Sequence, residues 1–319
     1  MTLLPTLVDY ARILAARDVI AGRVHRTPVV TSSYLGRQLG VRLHLKLELF
    51  QKTGSFKVRG VLNKLHHLGD DERQKGVISL SAGNHAQALA WGASQWGISS
   101  TIVMPATSVR SKVEATQGYG GKVVLTENNL LETCLSIQEE RGLVLVHPFD
   151  DPDIIAGQGT VGVEILEDVA DVDVVVVGVG GGGIISGVAA AVKAKKPHAR
   201  VVGVEPNGAP TMSRSLARGA PAQLAEVDTI ADGLAAPFAG EHTFAHVKAL
   251  VDDMVTVPDA EIRRAMGLII ERCKVIPEPA AAAGLAALLS RRVQVAEGAS
   301  VLCLLSGGNA DRDLLKSLL

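Results

Sequence analysis

Between Leu43 and Phe50, apolar and polar positions alternate: Leu43, Leu45, Leu47 and Leu49 fall on one side, and His44, Lys46, Glu48 and Phe50 on the other. A period of two predicts a strand, mostly apolar on one face. Gln51, Lys52, Thr53 and Gly54 break the pattern, Ser55 reads as a helix cap, and Val58, Val61, Leu62 and Leu65 then recur at helical spacing. Lys57 is therefore expected in the first turn of a helix directly after a strand. The positive end of the helix dipole makes that a costly place for an ammonium. An amine that must lose its proton to act as a nucleophile gains from the same placement, and burial would add to the effect. Taken alone, the position also fits a solvated surface lysine.

Elsewhere the periodicity alternates between helix and strand. Leu7 to Ala21 reads as an amphipathic helix, Arg26-Thr27-Pro28 closes that region, and Ser32 starts a second short helix. Strands are expected at Val77 to Leu80, Thr101 to Met104, Lys122 to Leu125 and Leu143 to Val146, with helices at Asn84 to Trp96, Ser111 to Gln117 and Leu130 to Glu140 between them. This alternation predicts a small parallel α/β unit from roughly Gly76 to Pro148. Pro152 to Val169 is then a helix, Val172 to Val177 a buried β-branched run, Ile184 to Lys195 a helix and Val201 to Glu205 a strand. The stretch from Pro206 to Val251 is rich in Pro, Gly and Ala and reads as irregular, while Asp259 to Arg272, Pro279 to Leu289 and Asp311 to Leu318 read as helices around a strand at Val301 to Leu305.

Composition narrows the function classes. The 319 residues are 47% hydrophobic, ample for a sizeable core, and the formal net charge is -1 with no long basic run, which favours a small-molecule partner over nucleic acid or an anionic membrane. Cys134, Cys273 and Cys303 are far apart, odd in number and without metal-ligand spacing, so a reducing, cytoplasmic setting is expected. Met1 to Tyr10 lacks the pattern of a signal peptide, and no stretch is apolar for the length of a membrane span.

The strongest chemical signal is Gly178-Val179-Gly180-Gly181-Gly182-Gly183, between a strand and a helix. Successive N–H groups without Cβ atoms can close around a phosphate, and the helix N-terminus adds a favourable dipole. The spacing is neither Gly-x-Gly-x-x-Gly nor a nucleoside-triphosphate loop. Ser81-Ala82-Gly83-Asn84-His85 and Ser306-Gly307-Gly308-Asn309 each follow a predicted strand, where ligands of α/β sheets gather, although such clusters are also ordinary loop chemistry.

Together these motifs resemble the threonine dehydratase and serine racemase family. Lys46-x-Glu48-x-x-Gln51-x-Thr53-Gly54-Ser55-Phe56-Lys57-x-Arg59-Gly60, Ser81-Ala82-Gly83-Asn84-His85-Ala86-Gln87, the glycine block at 180–183, Ile230-Ala231-Asp232-Gly233, Glu278-Pro279 and Ser306-Gly307-Gly308-Asn309 occur in the family's order and cover nearly the whole chain. The resemblance implies the α/β fold of fold-type II pyridoxal-phosphate enzymes, like the tryptophan synthase β chain: two open, twisted domains with mostly parallel sheets and the cofactor between them. The large cofactor-binding domain would comprise 1–75 and 149–319, and a small mobile domain 76–148.

It also implies roles. Lys57 would hold pyridoxal 5'-phosphate as a Schiff base and then serve as base for the substrate α-proton, with Phe56 packing by the ring and Asn84 bonding its 3-hydroxyl. Gly180, Gly181, Gly182, Gly183 and Ile184 would cradle the phosphate. Ser81, Ala82, Gly83, Asn84 and His85 would form the loop for the substrate carboxylate, Gly233 and Glu278 would lie near the cofactor, and Ser306 would face the pyridine nitrogen. A neutral hydroxyl there makes a weaker electron sink than a carboxylate partner would, which favours prompt β-elimination over transamination. The implied reaction is dehydration and deamination of a β-hydroxy amino acid, L-threonine or L-serine, to a 2-oxo acid and ammonia. The short form resembles catabolic dehydratases, which implies a homodimer or homotetramer without a C-terminal regulatory domain.

Two positions depart from relatives. Ala82 stands where serine racemases carry a serine that exchanges a proton on the face opposite the lysine, so an eliminase is expected. Thr211 stands where related enzymes pair a second carboxylate with the residue matching Glu205, so no metal is expected. Plain structural roles are expected for His147, Pro148, His242 and His246, and for Asp150, Asp151 and Asp153 as caps of the helix from Pro152. Alternatives are a 3-hydroxyaspartate or hydroxyectoine-pathway dehydratase, a serine racemase, or a pyridoxal-phosphate-binding module without catalysis.

Overall fold

The computed structural model describes residues 5–317. The start of the leading segment (residues 1–4) and Leu318, the expected end of the last helix, lie outside the described residues. The N-terminal part runs α1 (Tyr10–Ile20), β1 (Val29–Thr31), α2 (Ser33–Leu39), β2 (Arg42–Leu47), α3 (Lys57–His66) and α4 (Asp70–Lys75). Ser32 caps α2 as expected, its side chain accepting from Leu35 N–H. The strand expected to reach Leu49 instead ends at Leu47 and tightens into a 3-10 turn, Glu48–Phe50. Ser55 is not the cap of α3. Its backbone is extended and bridges Gly307, and the cap position falls to Phe56 without a side-chain bond.

Residues 77–145 form the small α/β unit: β3 (Val77–Leu80), α5 (Asn84–Gln95), β4 (Ser100–Pro105), α6 (Arg110–Gly118), β5 (Lys122–Thr126), α7 (Leu130–Arg141) and β6 (Val144–Leu145). The four strands are all parallel, in the order β5-β4-β3-β6. The unit docks on α3. Val58, Val61 and Leu65 share a core with Val77, Ala88 and Leu89.

The chain then returns to a six-stranded sheet through α8 (Pro152–Asp168), β7 (Val174–Gly178), α9 (Gly183–Lys195), β8 (Arg200–Pro206), α10 (Thr211–Arg218), α11 (Glu241–Leu250), β9 (Asp253–Val257), α12 (Asp259–Cys273), α13 (Pro279–Leu289), β10 (Ser300–Leu305) and α14 (Arg312–Lys316). Its order is β1-β2-β10-β7-β8-β9, parallel except for the edge strand β1. Strand β7 is a continuous valine run because helices cover both sheet faces: Val174 and Val176 pack with Ala283 and Leu285, and Val175 and Val177 with Ile185 and Val188. The region read as irregular, 206–251, contains α10 and α11. Asp150 does not cap α8; its carboxylate accepts from Glu241 and Thr243 N–H at the start of α11. Asp151 caps α8, and Asp153 sits within its first turn, where it pairs with Arg12.

The polar positions at the end of β2 and just after it do not face solvent. Lys46 and Glu48 are fully buried because α8 covers that face, and they join Arg59 and Glu164 in a charge-balanced network. Arg59 donates to Glu48 Oε1 (2.7 Å) and Oε2 (2.9 Å) and to Glu164 Oε1 (2.7 Å), while Lys46 Nζ lies 2.7 Å from Glu164 Oε2. Burial pushes the Glu48 carboxyl upward, but the Arg59 charge and hydrogen bonds, helped by Thr27 and Lys46, outweigh it and hold the carboxyl below the usual range. Replacing Arg59 with methionine leaves two buried carboxylates against one lysine, and should destabilise the fold by about 3–5 kcal/mol. Chemical denaturation of R59M against the parent chain measures this, and a loss under about 1 kcal/mol would refute the account.

Candidate active site

Strands β2, β10 and β7 are neighbours and parallel, so their carboxyl ends deliver the Lys57 segment, Ser306 and the glycine block side by side. Phe56 N–H donates to Ser306 O at 3.2 Å, which ties the first two together. From the other sheet, the carboxyl end of β3 contributes Ser81 to His85. These segments line one cavity of about 460 Å³. All the site residues read from the sequence line it: Phe56, Lys57, Ser81, Ala82, Gly83, Asn84, His85, Gly180 to Ile184, Gly233, Glu278 and Ser306.

Lys57 is the first residue of α3, and its amine donates to Pro148 O at 2.8 Å. Burial pulls its pKa from 10.5 to about 8, against a smaller opposing pull from Glu278. No carboxylate among the described residues pairs with it directly, so its neutral fraction near neutrality is far larger than that of an ordinary lysine. Asn84 is fixed from both ends: its Nδ2 donates to Glu278 Oε1 (2.7 Å), and its Oδ1 accepts from Asn309 Nδ2 (2.7 Å). Glu278 is buried, and burial, reinforced by Asp232, pushes its pKa to about 7 against the Asn84 hydrogen bond and Lys112. His85 lines the cavity; its Nε2 lies 3.1 Å from Ser79 Oγ and 3.2 Å from Val146 O, while its buried Nδ1 has no partner among the described residues. Burial and the Lys57 charge lower its pKa to about 3, which keeps it neutral and unsuited to hold an anion by charge.

Beyond the end of β7, α9 opens at Gly183, and Gly182 turns into it at φ +90°, a conformation that disfavours any side chain. A Cβ on Gly181 would fall 2.3 Å from the Phe149 ring. Bare backbone therefore faces the cavity, with the N–H groups of the first turn of α9 lacking partners within the helix. An amine, an anion cradle and the Ser306 hydroxyl lining one cavity fit a carbonyl-bearing, phosphorylated heterocycle.

Residues 20–307 match the model of the pyridoxal-phosphate dependent enzyme family. The chain belongs to that family. As a pyridoxal-phosphate enzyme it is 45% identical to the L-threonine ammonia-lyase of Thermotoga maritima, over 98% of this chain and 78% of the relative. It is 43% identical to a catabolic L-threonine dehydratase of Staphylococcus aureus, over 96% of this chain and 90% of that one. Among solved structures, maize serine racemase superposes with a TM-score of 0.93 at 41% identity, covering 98% of this chain and 97% of the other. The family's cofactor is thus the heterocycle that the cavity's chemistry fits.

Several lining groups had no assigned role in the sequence reading. Asn309 stood within a quoted motif, yet only the fold shows that it orients Asn84. Three of the five phenylalanines, Phe56, Phe149 and Phe238, line the cavity. Their concentration is visible only once the chain is folded. His147 stacks edge-on to Phe149 at 4.6 Å and accepts from Asp150 N–H, and His246 accepts from Val8 N–H, both structural roles as expected. Glu205 accepts from Met212 N–H (2.6 Å), Ser213 N–H (2.9 Å) and Ser213 Oγ (2.6 Å), so both carboxylate oxygens hold the start of α10.

Two outcomes test this geometry. Gly181→Ala forces the Phe149 ring aside and should weaken cofactor affinity by about 1–3 kcal/mol, roughly tenfold or more, with partial recovery when Phe149→Leu is added. Equilibrium titration of the apoprotein reads both variants. Attack on the cofactor carbonyl needs the neutral amine, so the loading rate of the apoprotein should rise with pH through a midpoint near 8 rather than 10.5. Because Glu278 favours the ammonium, Glu278→Gln should move that midpoint down; an upward move would contradict the assignment.

Proposed function

We propose that this chain is an ammonia-lyase that dehydrates and deaminates L-threonine and L-serine to 2-oxo acids. The observation that carries the reading is the half-buried Lys57 amine, without a carboxylate partner among the described residues, lining one cavity with a glycine cradle and a rigidly held Asn84. The names of the Thermotoga and Staphylococcus relatives support the same substrate class.

Pyridoxal phosphate, when bound, supplies the electron sink that acidifies the substrate's α C–H. Lys57 would hold the cofactor and would accept the α-proton of the substrate; its lowered basicity suits it to both tasks. Gly180 to Ile184 would receive the phosphate, Ser306 the ring nitrogen and Asn84 the ring hydroxyl. Ser81 to His85 would hold the substrate carboxylate through backbone N–H groups, since the His85 imidazole is neutral and its Nε2 is bonded to Ser79 and Val146. The unit at 76–148 closes over the substrate and excludes water. Racemisation requires a second acid–base group opposite Lys57, and residue 82 offers only a methyl. Glu205 serves as a helix anchor rather than a cation ligand. No described helix is long and apolar enough to cross a membrane, and we place the enzyme in the cytoplasm as a homodimer or homotetramer.

The decisive assay offers L-threonine, L-serine and the 3-hydroxyaspartate isomers to the cofactor-loaded protein and measures 2-oxo acid and ammonia. Release from threonine and serine, unaffected by a chelator and reduced at least about a thousandfold in Lys57→Ala, is the expected result. D-amino acid formation without oxo acid would replace the lyase with a racemase. Borohydride reduction that fails to fix the cofactor to Lys57 would overturn the site itself.

A further inference from the structure

Among the described residues, Lys57 and Lys112 are the only lysines or arginines lining the cavity, and they differ in what holds them. Lys57 donates to Pro148 O. Lys112 projects from α6 of the small unit and pairs with Asp232 of the 3-10 turn Asp232–Leu234, in the large unit. The Asp232 side chain is 56% exposed and that of Lys112 is 19% exposed, which puts the pair at the boundary between cavity and solvent. Asp232 Oδ1 also accepts from Gly233 N–H at 2.9 Å, so the carboxylate is held in place rather than left to swing.

An α-amino acid brings one carboxylate, for which the loop at 81–85 is available. A second carboxylate at the β-carbon needs a second cation. Lys112 is the candidate, and Asp232 already neutralises it. The remaining acidic lining group, Glu278, adds no attraction. We propose that the Lys112–Asp232 pair sets the charge of the accepted side chain, admitting neutral β-hydroxy amino acids and turning away those with a β-carboxylate. The inference rests on the amino-acid lyase reading and deepens it: Asp232 repels the second carboxylate directly and withholds the one cation that would bind it.

The same pair bridges the two units, so its loss affects closure as well. A bridging role alone would change all substrates by one factor. Charge selection instead sorts the variants by substrate charge. In Asp232→Asn the freed Lys112 should raise the ratio of kcat/KM for 3-hydroxyaspartate over threonine by about tenfold, Lys112→Gln should lower it, and the double variant should lie between them. A second readout is the change in cofactor absorbance on titration with L-aspartate or L-threonine, which follows binding without turnover. Equal shifts for acidic and neutral amino acids in Asp232→Asn and Lys112→Gln would overturn the proposal, as would wild-type preference for 3-hydroxyaspartate. Absence of oxo acid from threonine would instead count against the lyase reading, and the absorbance titrations would still decide the charge selection.

Discussion

The placement of Lys57 depends on four charges buried two residues away. Arg59 follows it in α3, and the guanidinium is clamped between Glu48 after β2 and Glu164 of α8, with Lys46 completing the balance. Removing four charges from water is costly, and the cost is offset only while all four remain paired. The network therefore admits little slippage of α3 against the sheet. Since Lys57 starts that helix, the same restriction fixes where its amine emerges and explains how a lone amine can be held near a backbone carbonyl without a counter-ion of its own.

The sequence disclosed this arrangement unevenly. The helix and strand alternation of the small unit, the glycine block and the Lys57 helix are local patterns, and they were legible as such. The two helices within 206–251 were not, and the reason is physical. Neither has a capping side chain at its own N-terminus. Helix α10 is held by Glu205, which precedes its first residue by six positions and lies in another element, and α11 by Asp150, more than ninety residues earlier. Long-range caps leave no local mark. Ser55 failed in the opposite sense: it has the chemistry of a cap, but its pairing with Gly307 draws the backbone into an extended form. Lys46 and Glu48 read as the polar face of a strand because nothing in an alternating pattern shows that α8 will cover it.

Site residues were legible where glycine or a motif marked the end of a strand, and much less so where a side chain reaches in from elsewhere. Asn84 was found; its orientation by Asn309 and Glu278 was not, since three segments far apart in sequence must meet to create it. The resemblance supplied Glu278 a position near the cofactor but no partner. Its partner is Asn84, whose amide donates to a buried carboxyl with a pKa pushed up to about 7.

The two sheets divide the work of the site. Lys57, the glycine cradle, Glu278 and Ser306 all stand on elements of the six-stranded sheet, and three of these segments follow adjacent parallel strands whose register is fixed by continuous hydrogen bonding. The loop at 81–85 and Lys112 stand on the four-stranded sheet. The proposed cofactor residues therefore lie largely on one sheet, whereas the proposed substrate residues are shared between two. Asn84 is the exception, tied to Glu278 and Asn309 across that boundary. A shift of the small unit would leave the glycine block unchanged while altering the loop at 81–85, the Lys112–Asp232 pair and, through Pro148 at its end, the one hydrogen bond of the Lys57 amine.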